Sequence, residues 1–197
     1  MHTMRAKTGS CRVGGFTLVE LMVTVSIAAI LLAIGVPPFS RLISSNRMAT
    51  QTNELVASLN LARAEAVRRS AGVSLRTDAT SNEFAGGWKV FIDSDLDGTL
   101  ASASDTLRQA AALAAKTTVR RVTRTTVSAG VFTYADATTA LTDRLFITFN
   151  SRGGNNSTSS PSFFRVCDSG NAAIPGRIVQ VNTIGRISLD SASATCP

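Results

Sequence analysis

Histidine is almost missing from this chain of 197 residues: the single one is His2. It lies in a short basic leader ahead of a long apolar run, so the chain beyond that leader has none. Ser-His-Asp and Cys-His nucleophilic chemistry and histidine-ligated zinc are therefore excluded. Tyrosine and tryptophan occur once each and aromatics make up 6%, which leaves few platforms for stacking on bases. Cysteine is sparse as well, at three residues with no C-x-x-C pair, so metal-cluster and dithiol redox readings are poor. Acid pairs and lysine bases remain formally available, yet nothing in the sequence singles one out as catalytic.

What the chain does have is Gly15-Phe16-Thr17-Leu18-Val19-Glu20 followed by an apolar run to Ile34. At about twenty residues, that run is long enough to cross a bilayer's hydrocarbon core as a helix. One carboxylate, Glu20, stands near its start. An acid in the membrane costs roughly 2.5–3.5 kcal/mol even on a lenient insertion scale, so it calls for a partner and a purpose. If the chain is cut after Gly15, Phe16 carries a free amine, and Glu20 follows one helical turn later on the same face. Neighbouring copies can neutralise two such opposite charges, which is a device for ordered assembly inside a membrane.

Gly15-Phe16-Thr17-Leu18-Val19-Glu20-Leu21-Met22 after a basic leader resembles the processing site of type IV pilins and type II secretion pseudopilins. The resemblance implies that a prepilin peptidase cuts between Gly15 and Phe16 and methylates the Phe16 amine. It also implies that Glu20 directs subunit registration. Residues 1–15 are then a removed leader, outside any reasoning about fold. Its cations, Arg5, Lys7 and Arg12, hold it in the cytoplasm and send everything after the helix outward. Their loss lowers the formal charge from +7 to +4, with 17 basic against 13 acidic residues, weak evidence for a nucleic-acid partner. Cys11 leaves with the leader. Cys167 and Cys196 remain as an even pair that should be oxidised in the periplasm. Closing that loop of about thirty residues is worth roughly 3–4 kcal/mol in the chain-entropy model.

Residues 16–72 read as a long N-terminal helix, transmembrane in its first half, interrupted at Gly35, Pro37 and Pro38. Leu55, Leu59, Ala62 and Ala66 recur at helical spacing, with Val56 and Val67 on the flank and Asn53, Arg63 and Arg68 on the wetter side. Gly72 is the expected stop. Residues 73–197 shift to short Val-, Thr-, Phe- and Ile-rich runs bounded by turn residues. Strands are expected over Val73–Thr77, Gly87–Asp93, Thr117–Thr123, Thr126–Tyr134, Leu145–Asn150, Phe163–Asp168, Gly176–Asn182 and Ile184–Leu189, the last two as a terminal hairpin. Ser151–Ser162 reads as a polar, mobile loop without a phosphate-cradle frame. The fold class is α+β: a long helix packed on a mostly antiparallel β-sheet domain, which resembles a pilin.

Gly87-Trp88-Lys89-Val90-Phe91-Ile92-Asp93, Val166-Cys167-Asp168, Gly176-Arg177-Ile178-Val179 and Gly185-Arg186-Ile187 ahead of Cys196 narrow the resemblance to the GspH/FimT branch of minor pilins and pseudopilins. It implies a structural subunit, not an enzyme, that primes assembly at the tip of a type IV pilus or type II secretion pseudopilus. The partners so implied are the peptidase, other major and minor subunits and the inner membrane, which the chain crosses once with its C-terminal domain in the periplasm. No cofactor is implied.

Two further motifs call for weighing. Asp93-Ser94-Asp95-Leu96-Asp97-Gly98 has the alternating acids and glycine of a calcium loop's first half. The twelfth position is Ser104 rather than an acid, so a polar turn without tight calcium binding is favoured. Arg120, Arg121 and Arg124 cluster, and Arg165, Arg177 and Arg186 lie near the C terminus. Some FimT-like members act as DNA receptors in natural transformation through Gly-Arg-x-Arg, and basic strands bind phosphates electrostatically. Here serine or valine replaces the second arginine after Arg186 and Arg177, so solvated strand faces are favoured over DNA contact. Trp88, Phe91, Phe146, Phe149 and Phe163 are assigned to the core.

Overall fold

The computed structural model describes residues 15–78, 83–114, 116–128, 131–136, 145–157, 161–170 and 174–196. The basic leader through Gly14, with His2 and Cys11, lies outside them, as do the side chains at 36–38. The chain divides into two compact units, at Ser40 and Arg41. A single helix, α1, runs Leu18–Arg69 through that division. The expected interruption at Gly35, Pro37 and Pro38 does not occur: helical backbone is assigned at all three. Proline removes one donor and crowds the preceding turn, but tolerated prolines in membrane helices are common because the freed carbonyl can be met elsewhere.

In the N-terminal unit every described side chain is exposed, including Leu21, Ile27, Ile30, Leu31 and Ile34. The hydroxyls of Thr24 and Ser26 do not stand bare in this apolar stretch; they donate back to the carbonyls of Leu21 and Met22.

In the second unit the helix buries Met48, Leu55, Leu59, Ala62 and Ala66. Three polar residues missed by the apolar reading, Gln51, Thr52 and Ser58, share the buried stripe, and Thr52 satisfies its hydroxyl on the Met48 carbonyl. Val67, expected beside the stripe, is exposed. The helix ends one turn sooner than its glycine suggested. Ser70 takes the left-handed conformation (φ 51°), and the amides of Ser70 and Ala71 donate to Val67 and Ala66, a Schellman stop. Gly72 serves a different need: a Cβ there would land on the Asp93 carbonyl and the Leu96 side chain.

Nine strands follow among the described residues: β1 Val73–Thr77, β2 Trp88–Ile92, β3 Thr106–Ala110, β4 Thr117–Ser128, β5 Val131–Asp136, β6 Phe146–Phe149, β7 Ser162–Asp168, β8 Gly176–Val181 and β9 Ile187–Ala194. They form two sheets rather than one, ordered β3-β2-β1-β6 and β5-β4-β7-β8-β9, with every described pairing antiparallel. β3, with its sequence Thr-Leu-Arg-Gln-Ala, gave no strand signal. The expected break near Thr123 is absent; β4 runs on to Ser128, which pairs with Val131. The single strand expected over Thr126–Tyr134 is divided between β4 and β5, with residues 129–130 outside the described set. The terminal hairpin forms, with β9 starting at Ile187.

One core cluster joins the helix stripe to Val73, Leu75, Trp88 and Ile147 of the first sheet and Val119, Phe164, Val166 and Val179 of the second. The opposite face of the second sheet carries a smaller cluster, Val122, Tyr134, Phe163, Ile178 and Ala194. Period-two alternation explains the split: Phe163 and Phe164 point to opposite faces, as do Ile178 and Val179. Of the aromatics assigned to the core, Trp88, Phe91, Phe149 and Phe163 are buried, and Phe146 is half-buried against Gly98.

Candidate functional site

The helix tip is the first place where the sequence set functional residues. Thr17 caps α1: its Oγ1 accepts from the Glu20 amide at 3.2 Å, and its carbonyl accepts from Leu21 at 3.2 Å. Thr17-Leu18-Val19-Glu20 thus has the spacing of a capping box, a signal legible in the sequence but passed over there. Phe16 is 82% exposed immediately before the cap. The Glu20 carboxylate is exposed and meets no partner among the described residues. The aromatic ring, the Gly15–Phe16 bond and the acid therefore lie within one turn of a helix end whose dipole favours negative charge.

The second place is the loop between β2 and β3. One oxygen from each of Asp93, Asp95 and Asp97 lies within 4.8 Å of the others. Asp93 is only 2% exposed; Asp95 and Asp97 are at the surface. Asp93 Oδ2 accepts from the Ser74 hydroxyl and from the Gly98 amide at 2.9 Å. Ser74 also bonds Thr148 at 2.5 Å, so the acid is tied to the neighbouring strands β1 and β6 of the first sheet. Burial pushes the Asp93 carboxyl up from its ordinary range; the two hydrogen bonds pull it back, and Asp95 and Asp97 add to the rise. Asp97 is held low by the side chain and amide of Thr99. Gly98 has φ +73° and lies against the Phe146 ring, so only glycine fits. Ser74 and Thr148 carried no functional signal in the sequence.

The arginines do not make one basic face. Arg121, 3% exposed, donates to the Phe146 carbonyl (2.7 Å), Ser157 Oγ (3.0 Å) and Ser162 Oγ (2.9 Å), linking the two sheets. Arg165 is buried and donates to the Tyr134 carbonyl. Arg120 pairs with Glu83 at 2.8 Å, and Arg124 lies 4.8 Å over the Phe163 ring and 4.0 Å from Asp190. The expectation of solvated strand faces is thus corrected for Arg121 and Arg165: their heads serve buried carbonyls and hydroxyls that need a donor. Arg177 is half-buried on β8, and Arg186 is exposed in the turn before β9.

The glycines of both Gly-Arg pairs have packing reasons. A Cβ on Gly176 would meet the sulfurs of Cys167 and Cys196 at 2.9 Å each. Those cysteines form the expected disulfide, with Cα atoms 5.7 Å apart. Gly185, at φ +78°, lies against the Gly153 carbonyl. The described part of the polar loop is pinned rather than loose. Asn150 Oδ1 accepts from the Arg152 and Gly154 amides, and Asn155 is buried with its amide nitrogen on Ser162 and Val181; residues 158–160 lie outside the described set.

A groove of about 550 Å³ runs beside Arg76, Asp78, Lys89, Phe91 and Leu145. Both cations are engaged, Arg76 on the Gly98 carbonyl at 2.6 Å and Lys89 on Asp78 at 3.0 Å. Nothing in it pairs a nucleophile with a base.

Residues 51–185 match the family described as type II transport protein GspH, and residues 11–36 match the prokaryotic N-terminal methylation motif. The chain is similar in fold to the type IV minor pilin FimU of Pseudomonas aeruginosa PAO1 in two crystal forms. One has TM-score 0.54 and 21% identity, covering 80% of this chain and 96% of that one. The other has TM-score 0.52 and 20% identity, covering 74% and 95%. The minor pseudopilin EpsH of the Vibrio cholerae type 2 secretion system aligns at TM-score 0.48 and 12% identity, over 73% and 96%. No curated protein matches significantly.

Proposed function

The chain belongs to the GspH family and is a minor pilin or pseudopilin of a type IV pilus or type II secretion machine, and from that premise we propose how it is processed, anchored and assembled. A prepilin peptidase cuts between Gly15 and Phe16 and methylates the new amine. The apolar half of α1 crosses the inner membrane once, with residues 41–197 in the periplasm, because the leader's cations stay in the cytoplasm. The subunit then joins other pilins near the filament tip, where it primes assembly beneath it. Its work is assembly rather than catalysis.

The observation that carries this reading is the segment matching the methylation motif. It holds an 18-residue window apolar enough to span a membrane, none of it buried within the chain, and Glu20 at its start without a partner among the described residues. A lone acid in hydrocarbon needs a counter-charge. The Phe16 amine of a neighbouring subunit supplies one, and the pairing fixes the axial register of the two helices.

Mass spectrometry of the protein recovered from cells tests the first step. The expected N-terminal peptide begins at methylated Phe16; a peptide retaining residues 1–15 overturns the reading. Glu20→Ala tests the second, since it should still insert in the membrane and be cleaved yet drop out of sheared filaments. Normal incorporation of that variant would remove Glu20 from assembly.

A further inference from the structure

We propose that Asp93, Asp95 and Asp97 form a binding site for a hard divalent cation of the calcium class, built in the loop that leaves β2 of the first sheet and independent of the helix-tip reading.

Acids at alternate positions are common in turns, and on sequence grounds a polar turn was favoured. The structure adds a different kind of observation. Asp93 is 2% exposed, and its Oδ1 is a buried oxygen with no hydrogen-bond partner among the described residues. A buried carboxylate oxygen without a donor costs the full desolvation of that atom and asks for an ion or a water. Its sister oxygen is committed to Ser74 and Gly98, which leaves Oδ1 as the oxygen to face the other two acids. With one oxygen of each acid within 4.8 Å of the rest, three negative groups converge on one point. A cation there answers both their mutual repulsion and the bare oxygen.

The donor set is oxygen only, which suits calcium or magnesium rather than zinc or copper. Calcium is favoured because a loop of carboxylates and carbonyls is too adaptable for magnesium's strict octahedron. Gly98 stands at the sixth place counted from Asp93, where a calcium loop needs a sharp turn, and its φ of +73° provides one. With Ser104 at the twelfth place the bidentate acid is missing, which sets the affinity at the weak, extracellular end of the range. Occupancy would fix the β2–β3 loop against Gly72, because the Asp93 amide donates to the Gly72 carbonyl at 2.9 Å just past the end of α1.

The test is calorimetric titration of calcium chloride into the full chain in detergent micelles, stripped beforehand with chelator. One site with a dissociation constant of about 0.1–1 mM is expected, with magnesium weaker. Asp95→Asn and Asp97→Asn, both at exposed side chains, should each weaken calcium at least tenfold while leaving the calcium-free melting temperature and circular dichroism unchanged. Calcium should raise the melting temperature of the parent chain and not of the variants. No saturable heat from the parent chain, or variants that bind as it does, overturns the proposal; the former would mean that Asp93 meets its bare oxygen with a proton shared with Asp95.

Discussion

Arg63, on the second half of α1, donates from Nε to the carbonyl of Gly153 at 3.1 Å, joining residues 90 apart in sequence. Its Nη2 reaches the Ile184 carbonyl at 3.2 Å, so one guanidinium holds two loops against the helix. The fork geometry matters, because a lysine ammonium on a similar stem has no two donors at that spacing. Arg63→Ala should therefore lower stability by about 1–3 kcal/mol, the range for charge-assisted bonds at a part-buried site. Arg63→Lys should recover only part of it. Urea unfolding of the full chain in micelles measures both, and an unchanged midpoint for Arg63→Ala would show the clamp to be idle.

Tyr134 is the only tyrosine, which makes its ionisation directly visible. Burial pushes its hydroxyl up to about 12, and the hydrogen bond it donates to Asp190 adds to the rise. In the unfolded chain the group ionises near pH 10. Between those values the unfolded state sheds the proton first, so folding loses stability as pH rises through that window and keeps it in full below pH 10. The absorbance of tyrosinate should titrate near pH 12 in the native protein and near 10 in urea. Tyr134→Phe should flatten the alkaline loss of stability. A native titration near 10 would place the hydroxyl in water.

The methylation motif was legible in the sequence because it is a local pattern: glycine, aromatic and acid at fixed spacing before an apolar run. The helix stripe Leu55, Leu59, Ala62 and Ala66 was equally plain, since burial of small and aliphatic side chains at helical period has few alternative causes. The strand cores followed from β-branched runs. What escaped were features decided by tertiary partners. β3 carries Thr, Leu, Arg, Gln and Ala and is a strand because β2 offers it an edge. The buried heads of Arg121 and Arg165, and the support of Asp93 by Ser74 and Thr148, depend on chain brought in from far along the sequence. The division into two sheets was invisible for the same reason, since alternation fixes a face but not the sheet it belongs to.

Gly176 and the Cys167–Cys196 disulfide make a coupled pair. Replacing both cysteines with serine should cost about 3–4 kcal/mol for a closed loop of this length. Gly176→Ala should cost about 1–3 kcal/mol through crowding, since its added carbon would lie 2.9 Å from both sulfurs. In the cysteine-free background the same alanine should cost less, because two unlinked side chains can swing away. Denaturation of the four proteins gives the coupling, and equal costs in both backgrounds would mean that the Val166 carbonyl, 3.1 Å from that carbon, sets the limit instead.

Arg121 and Arg186 separate the two uses to which this chain puts its positive charge. Arg121→Ala removes three bonds, to the Phe146 carbonyl and to the Ser157 and Ser162 hydroxyls, at a buried site, and should cost about 2–4 kcal/mol. Arg186 is exposed and its backbone amide and carbonyl both bond Asn182, contacts that an alanine keeps, so Arg186→Ala should change stability by about 0.5 kcal/mol or less. A nucleic-acid groove needs several unengaged cations along one track, and salt-sensitive binding scales with their number. Of the six arginines weighed for DNA contact, ion pairs and buried bonds already occupy Arg120, Arg121, Arg124 and Arg165, which leaves Arg177 and Arg186 of that set, too few to hold a duplex. The full chain should give no gel shift with DNA at low salt, and the double variant Arg177→Ala/Arg186→Ala should behave the same. A shift abolished by that double variant, with stability intact, would instead make the C-terminal hairpin a DNA contact.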